Sequence, residues 1–238
     1  MILAINTATL QFSLALAKMN SHLLAECTLT PLQKHYGTLF PSLGFLLEST
    51  GKRLKDIRAV AIATGPGSFT GLRVGLSMAK GICHGLHVPI MGIPTLEALA
   101  GQIPCSDLPI TPVVDSRRGE VFVAQFLWDR SSGVMNRLIE DQCVKLEDLP
   151  SIGKGPTILI GNSLSTQGPI LQKITDERVT LAPEDKWHIS ASTIAQLGIQ
   201  RFSKGEEATL EECSPIYFRP PDIRPNPHPL LKRNPKSQ

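Results

Sequence analysis

The sequence predicts an α/β chain that opens twice with a strand-turn-strand unit, and three observations carry that prediction. Short β-type segments crowd the first thirty residues and return after residue 110. Between them runs an apolar stripe at helical spacing. A glycine-rich turn, Thr64-Gly65-Pro66-Gly67-Ser68-Phe69-Thr70-Gly71-Leu72-Arg73, follows one apolar strand and opens a helix.

Taken in order, Met1 to Asn6 and Phe12 to Lys18 are short strands parted by polar Thr7-Ala8-Thr9, and Leu23 to Leu29 supplies a third that Pro31 ends. Tyr36, Leu39, Phe40, Leu43, Leu46 and Leu47 repeat at spacings of three and four, which makes one broad helical stripe, and Gly51 is placed to stop it. Ile57 to Ala63 reads as a buried strand. Val74 to Leu86 carries apolar residues at helical spacing, Val88 to Gly92 is a short strand, and a helix starts near Thr95. Farther on, Pro112 to Asp115 and Val121 to Phe126 are two strands joined at Ser116-Arg117-Arg118-Gly119. Thr157 to Gly161 is another strand, and Leu164 to Ile174 and Ala191 to Phe202 are helices.

At 238 residues the chain can form two small domains around a sizeable core. Asn6, Thr7, Thr9, Gln11 and Ser13 interrupt the uncharged N-terminal run and no basic region precedes it, so neither a membrane span nor a signal peptide is predicted, and the cytosol is the expected compartment. Cys27, Cys83, Cys105, Cys143 and Cys213 are odd in number and form no C-x-x-C, which suggests neither a disulfide framework nor a cysteine zinc site. The formal charge of +3 is unevenly spread. From residue 219 onward there are five basic residues (Arg219, Arg224, Lys232, Arg233, Lys236) and one acid (Asp222), hence +4, which leaves −1 on residues 1 to 218. Six prolines and few apolar residues in that terminal segment predict an extended, disordered tail, read either as a solubilising segment or as a loose contact with RNA.

A strand-to-helix junction aims free backbone N–H groups at one point. Gly65 and Gly67 permit close approach of another backbone or of a phosphate, and Ser68 or Thr70 can cap the helix. The plainer reading is a tight turn with a capped helix, since the Walker Lys-Ser/Thr pair is missing. Ser77-x-x-Lys80 and Ser151-x-x-Lys154 both match the S-x-x-K of penicillin-recognising enzymes without the accompanying motifs, and no G-x-S-x-G elbow exists because position 70 is Thr. His84 and His87 form a His-x-x-His at a helix end with no third ligand in view; capping or packing explains them better than a metal.

As a word, the signature turn resembles that of the bacterial TsaB family, also called YeaZ-like: catalytically degenerate relatives of the transferase TsaD that take part in making threonylcarbamoyladenosine in tRNA. Met1-Ile2-Leu3-Ala4-Ile5-Asn6-Thr7-Ala8-Thr9, Val114-Asp115-Ser116-Arg117-Arg118-Gly119-Glu120-Val121-Phe122 and Pro215-Ile216-Tyr217-Phe218-Arg219 agree with it in order, so the resemblance spans residues 1 to about 219. It implies the actin-like, sugar kinase and heat-shock ATPase architecture: an N-terminal lobe over 1–104, a smaller second lobe over 105–218, and the tail 219–238.

The resemblance also marks departures. Asn6 stands where the family more often has Asp, and an amide cannot neutralise a hydrated magnesium ion. Asp115-Ser116-Arg117-Arg118-Gly119 replaces the Ser-Gly-Gly-His-Thr of TsaD-like enzymes, so Arg117 and Arg118 are candidates for anion or RNA contact, or are solvated hairpin charges. The two metal-binding histidines of those enzymes fall on Thr95 and Leu99, and leucine cannot ligate a metal. The expectation is therefore a noncatalytic, metal-free scaffold with no required cofactor. It docks on a TsaD-like paralogue or on a second copy of itself, works with a TsaE-like ATPase, and meets tRNA indirectly through the complex. The modified adenosine lies 3′ of the anticodon, in tRNAs reading codons that begin with A. Gly65, Gly67, Ser68 and Thr70 would shape a degenerate nucleotide cleft, and ATP or ADP bound there or at the partner interface stays open. Leu39, Leu43, Leu46, Leu72, Gly75 and Ala79 would form or support the partner interface, so enlarging Gly75 and Ala79 should weaken docking without unfolding the chain. His35 matches a residue often seen in the family but has no chemical role here. The rivals are an active ATP-dependent kinase or carbamoyl transferase of the actin-like superfamily, and a metallopeptidase.

Overall fold

The computed structural model describes residues 1–30, 36–116, 119–153, 155–174 and 176–218. The first half runs β1 (Ile2–Asn6), β2 (Phe12–Ala17), β3 (Leu23–Leu29), α1 (Leu39–Ser49), β4 (Ala59–Gly65), α2 (Phe69–Leu86), β5 (Ile90–Pro94) and α3 (Thr95–Ala100). The second runs β6 (Ile110–Asp115), β7 (Glu120–Asp129), β8 (Val134–Lys145), β9 (Thr157–Gly161), α4 (Leu164–Ile174), β10 (Val179–Leu181) and α5 (Ala191–Ser203). Each half builds a five-stranded mixed sheet, in the orders β3-β2-β1-β4-β5 and β8-β7-β6-β9-β10. The plan is the same twice. A three-strand antiparallel meander is followed by two strands added parallel to its first, each parallel addition needing a crossover.

Two strands were not predicted. β8 carries Arg137, Glu140 and Asp141 and lies at the sheet edge with none of its residues fully buried, so its apolar alternation is broken. β10 has three residues, too few to show a period. The strands predicted at Ile57 and Val88 begin two residues later, at Ala59 and Ile90.

Because side chains alternate along a strand, the first sheet has one large and one small face. Leu3, Ile5, Leu14, Leu16, Val60 and Ile62 point to one side, where Leu39, Leu43 and Leu46 of α1 and Leu76, Ala79 and Ile82 of α2 cover them. Full burial contributes about 1.5–3 kcal/mol for each such leucine or isoleucine. Ala4, Ala15, Ala17, Ala59, Ala61 and Ala63 line the other side. That alanine face admits α5 so closely that a Cβ on Gly198 would stand 2.5 Å from the Ala61 methyl.

The halves exchange their last helices. α3 packs on the second sheet and α5 crosses to the first, lying over β1, β2, β4 and β5. Arg201 of α5 fixes the exchange through an ion pair with Glu97 of α3 at 2.7 Å and a hydrogen bond to the Gly92 carbonyl. The two sheets divide near residue 105, whereas the helix packing does not. After α5 the chain returns to the first sheet: Ala208 N–H donates to Ile90 O at 3.0 Å and Ile216 N–H to Thr64 O at 2.8 Å. No helix among the described residues is long and apolar enough to cross a membrane.

Candidate functional site

The signature turn joins β4 to α2 at the edge between the lobes. Ser68 Oγ accepts the Gly71 N–H at 3.2 Å and so is the cap, while Thr70 is exposed on the first turn. Of the two approaches open to the glycines, backbone against backbone is the one formed. Gly65 has φ +115°, and a Cβ there would stand 2.8 Å from Ile216 O. A Cβ on Gly67 would overlap the Ala8 carbonyl, the same oxygen that accepts the Ser68 N–H at 2.7 Å. Gly75, nearly two turns into α2, lies against the Thr7 hydroxyl, which is buried and has no hydrogen-bond partner among the described residues. The first hairpin is thus clamped onto the start of α2 at Gly67 and Gly75, while Gly65 receives the strap at Ile216.

Asn6 is fully buried at the base of that hairpin. Its amide Nδ2 faces Thr9 Oγ1 at 3.3 Å, Gln11 O at 3.4 Å and Ile189 O at 3.3 Å, and its Oδ1 accepts the Ala8 N–H at 3.0 Å. Ser13 Oγ donates to the same Ile189 carbonyl at 2.8 Å. A carboxylate has no hydrogen to offer these oxygens, so the residue that holds metal-bound water in an actin-like ATPase is here a structural donor. With the turn filled by Ala8 and the amide committed to carbonyls, this half of the cleft does not fit a magnesium nucleotide. Arg117 and Arg118, in the second hairpin, lie outside the described residues, as do His35 and the tail.

Thr95 and Leu99, at the positions of the absent histidine pair, have no exposed surface, and Thr95 Oγ1 has no hydrogen-bond partner among the described residues. His84 and His87 are exposed with ring centroids 6.5 Å apart, and among the described residues no three His, Cys, Asp or Glu side chains gather as a metal would need. Burial, and then the neighbouring Cys213, push the Cys83 thiol up to about 12; burial also raises Cys213. Neither is poised as a nucleophile.

The six residues expected to form or support a partner interface are buried within the chain. Leu39, Leu43, Leu46, Leu72 and Ala79 are at most 3 % exposed, and Gly75 is buried under Thr7. Their stripe is apolar because it covers the sheet. Among the residues that α1 and α2 expose are Phe40 and Phe45, 63 % and 64 % exposed, and Gly44, Gly81 and Gly85, above which space is open among the described residues. Enlarging Gly75 would therefore strike the hairpin rather than a partner.

Sequence reasoning missed the terminal strap and the Ile189 carbonyl. Residues 213–218 cross between the lobes, with Ile216 on Thr64, the Tyr217 ring 5.4 Å from Phe69, and the Phe218 ring 5.5 Å from Phe122 of β7. The aromatic pair Tyr217-Phe218 is the signal that could have found the strap; a carbonyl leaves no trace in a sequence.

Comparison with known proteins agrees with this geometry. A family model described as TsaD: tRNA N6-adenosine threonylcarbamoyltransferase matches residues 23–198. The Bacillus subtilis tRNA threonylcarbamoyladenosine biosynthesis protein TsaB is 27% identical over 92% of this chain and 93% of its own length, and the Escherichia coli protein of the same name is 28% identical over 92% and 94%. A Pseudomonas aeruginosa protein described as similar to peptidase YeaZ superposes with a TM-score of 0.75 at 21% identity over 92% of this chain and 99% of its own, which shows a common fold. The chain belongs to the TsaD-type threonylcarbamoyltransferase family, in its TsaB (YeaZ-like) branch, whose members take part in tRNA threonylcarbamoyladenosine biosynthesis.

Proposed function

We propose that this chain is a noncatalytic scaffold and activator that docks on a TsaD-like transferase and supports threonylcarbamoyl transfer to the adenosine 3′ of the anticodon, in tRNAs reading codons that begin with A. One observation carries the reading. Two helices on one sheet face carry interior glycines with open space above them among the described residues, and α1 adds two phenylalanines that are 63 % and 64 % exposed. A helix-interior glycine is destabilising by about 1 kcal/mol relative to alanine, so glycines that meet nothing among the described residues are best accounted for by a partner backbone that comes close. Phe40 and Phe45 supply the apolar anchors of such a contact. A second copy of the chain would use the same face.

The scaffold reading needs no cofactor. Asn6, Thr95 and Leu99 replace the groups that metal and nucleotide chemistry would use, and the signature turn is occupied by Ala8 and Ile216. A nucleotide is better placed at the partner interface than in the clamped turn. The chain would act by holding the transferase lobes in their competent arrangement, in the cytosol, alongside a TsaE-like ATPase.

The test is transfer to tRNA in a reconstituted mixture of transferase, ATPase and activated threonylcarbamoyl donor, with this chain present, absent, or as the sole protein. Transfer that requires both this chain and the transferase supports the reading. Transfer by this chain alone overturns it in favour of an enzyme.

A further inference from the structure

Beside the signature turn lies a group of side chains that neither the clamp nor the helix face uses. Phe69 and Tyr217 are 44 % and 43 % exposed with ring centroids 5.4 Å apart. The Arg73 guanidinium carbon lies 3.9 Å over the Phe69 ring, and its Nε donates to the Tyr217 hydroxyl at 3.1 Å. Among the described residues no carboxylate forms an ion pair with Arg73. These residues come from the start of α2 and from the strap, which the Thr64 to Ile216 hydrogen bond holds in place.

We propose that Phe69, Arg73 and Tyr217 form a platform on which unpaired bases of an RNA stack. The inference rests on the proposed function only in that RNA is what the assembly acts upon. Exposed rings alone would equally suit an apolar protein partner, and charge decides between the two. A partner surface of that kind would bury Arg73 without a counter-charge, which is costly, whereas a phosphate beside a stacked base pairs with it. The surrounding sequence has the same sign. Immediately beyond the strap, residues 219–238 carry five basic residues and one acid, whereas residues 1 to 218 sum to −1. Base stacking is tolerant of sequence because every base has a π-face, so the platform is suited to a loop or a single strand rather than to a duplex.

The experiment is fluorescence anisotropy of a labelled unstructured RNA heptamer with the full chain, at 50 and 150 mM salt. Tyr217→Leu and Phe69→Leu keep apolar bulk and lose the ring; each is expected to weaken binding about tenfold, while Tyr217→Trp retains it. Arg73→Gln should weaken binding and lower the salt slope by about one phosphate. Circular dichroism melts confirm that each variant is folded, and a variant that does not fold is replaced by Tyr217→Trp and Arg73→Lys, in which affinity must track stacking and charge respectively. Affinity unchanged in the leucine variants, or equal affinity for a fully paired duplex of the same sequence, overturns the proposal. So does loss of transferase docking with RNA affinity intact. A chain that stimulates the transferase yet binds RNA indifferently to its rings defeats this inference alone; one that fails to stimulate defeats the scaffold reading whatever RNA it binds.

Discussion

Replacing Gly44 and Gly81 together by alanine should move two observables in opposite directions. Gly44 lies in the interior of α1 and Gly81 in the interior of α2, and a Cβ on either has nothing within 4 Å. Alanine therefore brings no clash and removes the entropic penalty of glycine, about 1 kcal/mol per site. For a domain of this size each kcal/mol raises the melting temperature by about 2–4 °C, so the double variant should melt about 4–8 °C higher. At a close helix–helix contact the same two methyl groups are over-packing, typically about 1–3 kcal/mol, which is about five- to 150-fold in affinity. The assays are a thermal melt of the chain alone and calorimetric titration with the transferase. A higher melting temperature with weaker binding is the expected pair. A higher melting temperature with unchanged binding refutes the docking face, and an unchanged or lower one refutes the reasoning about open glycines.

Other positions should behave differently. Gly75→Ala drives a methyl into the buried Thr7 hydroxyl and should lower stability by about 1–3 kcal/mol in urea unfolding, the reverse of Gly81→Ala. Asn6→Asp replaces a donor that faces Thr9 Oγ1, Gln11 O and Ile189 O by an acceptor. Burial beside those oxygens raises the folded-state carboxyl above its unfolded value of about 3.9, so the loss should be small below pH 4 and grow as pH rises, with no ATP hydrolysis acquired at any pH. In native thiol labelling followed by mass spectrometry, exposed Cys105 should react first, whereas Cys83, held at about 12, should stay unmodified up to pH 10 and react only on unfolding.

The fold was legible wherever an element is apolar on one face or both. β1, β4 and the helix after the signature turn announce themselves because sheet-covering residues recur at the period of the element. The large and small faces of the first sheet are also written in the sequence, as Ile-Leu-Ala-Ile and Ala-Val-Ala-Ile-Ala, although only the structure shows that the alanine side receives a helix from the other half. The exchange of α3 and α5 has no local signature. It depends on Glu97 meeting Arg201, residues a hundred positions apart that each read as an ordinary surface charge.

The glycines mark the limit of sequence reading at the candidate site. In sequence, the glycines of α2 and its turn form one run, and their spacing suggests one purpose, a close-packing face. In space they divide into two groups. Gly65, Gly67 and Gly75 are filled by the chain itself, against Ile216, Ala8 and Thr7, and any side chain there displaces a neighbour. Gly81 and Gly85 face outward with nothing above them. Helical periodicity could have separated Gly75 from Gly81, since positions six apart are rotated by about 240° and cannot share a face. It could not have told which side is buried, because the residues beside both groups are apolar or small. That was settled by the partners, above all by Thr7, whose hydroxyl has lost its hydrogen bond beneath Gly75. A glycine that holds a fold together and a glycine that keeps a surface open are the same letter, and only the atoms opposite distinguish them.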